Sequence, residues 1–146
     1  MMRRFEDTIV GDELPVVGRV VTVEDVRTYA EAGGDRNPLH LDDAFARSVG
    51  FDGIIAHGMF TMGHMARCVV DWAGGDPAHV IELSAQFRTP VYMGDTIEAG
   101  GSVLSVDTDE RTATVEIWVR VMRDGQAEWP IKRGTAVVRI LGPDPA

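Results

Sequence analysis

The chain has 146 residues, 45% hydrophobic and 25% charged, enough to bury one core without disulfides or metal. Its net charge of −9 repels nucleic-acid backbones, and no apolar run reaches the ~18 residues of a membrane span. The start, Met1-Met2-Arg3-Arg4-Phe5-Glu6-Asp7, lacks the apolar stretch of a signal peptide, and the single cysteine, Cys68, fits a reducing, cytoplasmic compartment.

Residues 5–13 are polar with an apolar start. Pro15 to Val23 is β-branched and is expected to be a strand. Thr22 can cap the helix that follows, with Asp25 three residues on as an imperfect capping box. Val26, Tyr29, Ala30 and Gly33 repeat at helical spacing, so residues 24–33 form a short helix that Gly33-Gly34 ends. Residues 34–41 are expected to be a loop, because Pro38 disfavours a helical Asn37. Asp42 or Asp43 can cap a second short helix, Ala44 to Val49, stopped by Gly50, and Phe51 to Ala56 is a connector.

His57 to Ala73 carries the longest helical pattern. It is apolar on most sides, which predicts a buried helix, and Gly74-Gly75-Asp76-Pro77 stops it. The period then changes to two. Val80–Phe87, Asp95–Val106, Arg111–Val121 and Trp129–Ile140 are expected strands, with turns at 107–110 and 123–126. Four strands in succession predict an antiparallel meander, and the apolar helix needs a cover. A single α+β domain spanning 1–146, a curved sheet wrapped around one long helix, meets both demands. The tail 142–146 is expected to be loose.

The stretch Tyr29 to His40 carries the chemistry. On a straight helix Asp35 and His40 would point roughly 140° apart. Pro38 and the glycines force a turn instead, which can bring carboxylate and imidazole to one point where they hold and activate a water. Asn37 suits a turn former that bonds the loop's own backbone. Ala56-His57-Gly58-Met59 stands where the buried helix begins. There the first N–H groups lack internal partners, and Gly58 has no side chain to keep a substrate carbonyl away.

Gly34-Asp35-Arg36-Asn37-Pro38-Leu39-His40 matches the signature Gly-Asp-x-Asn-Pro-x-His of the MaoC-like, (R)-specific hydratase family. Ile55 to Met59 and Phe87 to Asp95 resemble two further segments of that family. Within it, the run Ala56 to Gly63 looks most like the catalytic subunits of actinobacterial 3-hydroxyacyl carrier-protein dehydratases. The resemblance implies the hot-dog fold, no cofactor, and a hydro-lyase that interconverts 2-enoyl and (R)-3-hydroxyacyl thioesters by syn addition of water. It assigns Asp35 and His40 as the catalytic pair and Gly58 as the N–H that polarises the thioester carbonyl. Which of the pair protonates C2 stays open. The implied partners are a coenzyme A or acyl-carrier-protein thioester and a second hot-dog subunit, identical or not.

Tyr29, Asn37, Met59 and Met62 are the candidate substrate-binding residues, with Tyr29 near the loop and the methionines suited to an acyl tunnel. Arg47, Arg88, Lys132 and Arg133 are candidates for a local basic patch against an anionic thioester arm. His57 is expected to be a helix-start or packing residue, Cys68 a small core residue, and no metal spacing is recognisable. A hot-dog thioesterase and a non-enzymatic acyl-binding subunit are the competing functions.

Overall fold

The computed structural model describes residues 3–142. A long helix lies against one five-stranded antiparallel sheet, and three helices precede that helix. Strand β1 is Glu13–Val20, followed by α1 (Val23–Gly33), α2 (Pro38–Leu41), α3 (Asp43–Ser48) and α4 (Gly58–Ala73). Strands β2 (Val80–Ser84), β3 (Thr96–Asp107), β4 (Thr112–Arg123) and β5 (Gln126–Arg139) complete the sheet in the order β1-β3-β4-β5-β2.

Strand β4 shows why the sheet forms. Its burial alternates strictly, with Ala113, Val115, Ile117, Val119 and Val121 inside and Thr, Glu, Trp and Arg between them. The inside face meets Met65, Cys68, Val69, Trp72 and Ala73 of α4 in one continuous core. Helix and sheet approach closely at Gly134. A Cβ there would sit 2.5 Å from the Met65 sulfur, so a larger residue would displace the Met65 side chain.

Three details depart from the sequence expectations. Strand β1 begins at Glu13 and ends at Val20, before the helix cap. The loop 34–41 contains a helical turn, α2, because Pro38 is at its first position, where a missing N–H costs nothing. Strand β2 does not join a meander: it pairs with β5 at the far edge, and only β3, β4 and β5 run consecutively. Residues 85–95 therefore pass beneath the start of α4 instead of making a hairpin, with Ala56 N–H donating to Val91 O at 2.8 Å. The Thr22 capping box forms completely, with both Thr22–Asp25 bonds at 3.1 Å, since an aspartate reaches the cap N–H as a glutamate would. No helix among the described residues is long and apolar enough to cross a membrane. The tail expectation falls, from residue 143, outside the described residues.

Candidate active site

The Asp35–His40 loop is built by local backbone chemistry. Gly34 closes α1 in the left-handed conformation, φ 74°, with its N–H on Ala30 O. The chain then turns back. Asn37 caps α2 by accepting from Leu39 N–H at 3.0 Å, and its own N–H donates to Asp35 Oδ1 at 3.2 Å. Asn37 thus shapes the loop through its Oδ1 and its backbone N–H. Helix α2 carries His40 to face Asp35.

His40 is held in one tautomer. Its Nδ1 lies 2.7 Å from Ile55 O, and a carbonyl only accepts, so Nδ1 carries the proton and Nε2 presents a lone pair. That Nε2 is 3.9 Å from Asp35 Oδ2. Two acceptors at this separation form no bond with each other, yet they suit one water. An oxygen ~2.8 Å from both would subtend roughly 90°, near its own H–O–H angle, and could donate one hydrogen to each.

Gly58 opens α4 beside this pair, with its N–H among those the helix leaves unpaired. Two cavities meet at Gly58 and the Phe87 ring. One, about 330 Å³, is lined by His40, Ile55, Thr61 and Arg88. The other, about 390 Å³, is lined by Tyr29, Asp35, His57 and Met59. Tyr29 and Met59 thus border the cleft on the Asp35 side. Met62 packs against the core and lines neither cavity. Of the four candidate basic residues, Arg47 is paired with Asp43 at 2.8 Å, Arg88 lines the His40 cavity, and Lys132 and Arg133 are exposed on β5.

The sequence understates His57. Its ring is buried, stacks on His40 with centroids 3.8 Å apart, and donates from Nε2 to Asp35 O at 2.9 Å. Asp35, His40 and His57 place ligand atoms within 4.8 Å of one another, a group that can be read as a metal site. His57 Nε2 is engaged by a carbonyl, so the lone pair this residue could offer lies on Nδ1, which is buried and has no hydrogen-bond partner among the described residues. Phe87 is a further cleft residue that the sequence pattern does not single out. It sits 29 residues from Gly58 in sequence, and no local pattern links them.

A long helix held by a curved antiparallel sheet, with a carboxylate–imidazole pair at the helix start, defines a hot-dog domain equipped to handle water. The chain belongs to the MaoC-like domain family, whose model matches residues 6–125. It is 34% identical over 127 residues to a 3-hydroxybutyryl-CoA dehydratase of Methylorubrum extorquens, covering 84% of this chain and 80% of that one. It is 31% identical over 116 residues to an (R)-specific enoyl-CoA hydratase of Aeromonas caviae, covering 80% and 84%. A solved MaoC-like dehydratase superposes with a TM-score of 0.87 at 34% identity over 95% of this chain, which spans 42% of that longer protein.

Proposed function

We propose that the chain is a hydro-lyase that reversibly hydrates trans-2-enoyl thioesters to (R)-3-hydroxyacyl thioesters. The carrying observation is the pair of acceptors, Asp35 Oδ2 and His40 Nε2, set 3.9 Å apart beside the first N–H groups of α4. In hydration, the water oxygen bonds to C3 as one of its protons passes to the pair. The C2–C3 electron pair shifts toward the thioester oxygen, where the Gly58 N–H stabilises the developing charge. A proton from the pair then reaches C2. His40 is suited to take the water's proton, because Nε2 is its one free lone pair and Ile55 O holds the opposite nitrogen. Dehydration runs the same steps backward. The names of the two relatives, a dehydratase and an (R)-specific hydratase, support the reaction and its stereochemistry.

The substrate is a coenzyme A or acyl-carrier-protein thioester, and Tyr29 and Met59 border its acyl group. The protein acts in the cytoplasm, its hot-dog domain paired with an identical or a related hot-dog subunit. The edge strand β2 supports that pairing: it has β5 as its one neighbour and leaves Ile81 53% exposed.

The test is loss of enoyl absorbance from crotonyl-coenzyme A, with chiral analysis of the product. Turnover should fall by a factor of ~10² or more in both Asp35→Asn and His40→Ala, with folding intact. Retained activity in either refutes the site. Free thiol release without a hydroxyacyl product refutes the reaction. Light scattering of the purified chain reads the oligomer.

A further inference from the structure

We propose that His57 is a positioning residue for this reaction: it fixes the Asp35 carboxylate at its working distance from His40. The inference rests on the hydratase reading of the Asp35–His40 pair. Its ground is that one buried ring touches both members of that pair. Nε2–H of His57 donates to the backbone carbonyl of Asp35 at 2.9 Å, across 22 residues of chain. The same ring lies nearly parallel to His40, at 25° and 3.8 Å, and rests against Tyr29 at 4.7 Å.

Asp35 needs such a hold. Its side chain is 55% exposed on a turn that begins at a left-handed glycine. The other bond to it from the described residues is Asn37 N–H to Oδ1, which is within the same turn and moves with it. Among the described residues, the His57 hydrogen bond is what ties that turn to the start of α4, and α4 also carries the Gly58 N–H. The bond therefore sets the Asp35 backbone relative to both His40 and the oxyanion donor, and the Asn37 N–H holds the carboxylate on that backbone.

The hydrogen-bond inventory argues against mere space filling. His57 Nδ1 is buried with no partner among the described residues, a cost that an apolar ring of similar size would avoid. The residue's one useful polar contact is the bond to Asp35 O. A residue present only to start α4 would also be expected to cap it, and the His57 side chain makes no capping bond.

The test compares His57→Phe, which keeps a ring and loses the donor, with His57→Gln, which keeps a donor of similar reach. Each is assayed on crotonyl-coenzyme A for kcat and KM separately, beside a thermal melt. A displaced catalytic group costs turnover more than binding, so His57→Phe should lower kcat by about ten- to a hundredfold with KM within about threefold. His57→Gln should recover most of that loss. Unchanged kcat in a folded His57→Phe overturns the proposal, and so does a Gln variant no better than Phe. Should the Phe variant fail to fold, His57→Asn replaces it. Asparagine is equally polar but too short to reach the Asp35 carbonyl, and equal kcat for Gln and Asn at equal melting temperature overturns the proposal. Inactivity of the unaltered protein, by contrast, would count against the hydratase reading itself.

Discussion

Replacing Gly58 by alanine separates the oxyanion role of this residue from its role in packing. A Cβ at position 58 would lie 2.8 Å from Phe87 Cε2, 2.9 Å from Cδ2 and 3.1 Å from Cζ. Relaxed carbon contacts are about 3.5–4.0 Å, so the ring must retreat by about 1 Å. Phe87 is 47% exposed and free to do so, and alanine suits a helix better than glycine by up to about 1 kcal/mol. Stability should therefore change little. Activity should not be spared, because on the proposed reading the new methyl group stands where the thioester carbonyl approaches the N–H. Loss of one oxyanion donor costs about 10²–10³ in rate, roughly 2.7–4 kcal/mol. The assay is kcat/KM on crotonyl-coenzyme A for Gly58→Ala, with Gly58→Ala/Phe87→Ala as the control that removes the ring clash. A fall of about 10² in both variants, with unchanged melting temperature, is expected. Full activity in Gly58→Ala, or full rescue by Phe87→Ala, would refute the assignment, the second because it would trace the loss to a displaced ring.

Two further predictions concern the scaffold. Gly101→Ala should destabilise the fold by about 3 kcal/mol in urea unfolding, because its Cβ would lie 2.0 Å from Glu116 O on the neighbouring strand, a backbone atom that cannot swing away. His64 is held below the usual histidine range, first by burial and then by the nearby Arg67 and Arg19, against the opposing bond from Nε2 to Val17 O. Its neutral form is the one the fold accepts. That contribution is complete above pH 6.5 and is lost as pH falls through the depressed native value, so His64→Gln should flatten the acid limb of a stability–pH curve. An unchanged limb would place the acid sensitivity elsewhere.

What was legible in the sequence is what short-range physics decides. The alternation of β4, the apolar girdle of α4 and the Thr22 cap each depend on neighbours a few residues away, and each appears where expected. Asp35 and His40 are legible for the same reason: the turn that joins them is closed by Gly34, Asn37 and Pro38, all inside the motif. The edge position of β2 is not local. Its five residues have the period of any strand, and nothing in them records that β5, more than fifty residues later in the chain, is the partner. Asn37 illustrates a different limit. The sequence allows a side chain that binds substrate or one that caps, and the structure adds the cap: Oδ1 accepts from Leu39 N–H.

His57 marks the boundary between these regimes. As a sequence symbol it is one histidine before a glycine, equally fit for packing. Its weight comes from the path of residues 85–95, which seats the start of α4 by the Ala56–Val91 bond, and from the reach of α1 and its turn back over that start. Only then does the imidazole meet the Asp35 carbonyl on one atom and the His40 ring on its face. On the proposed reading the motif supplies the reacting groups, while a contact from outside it anchors the turn that carries one of them. A chain that keeps the motif but loses that contact should therefore bind its thioester and turn it over slowly.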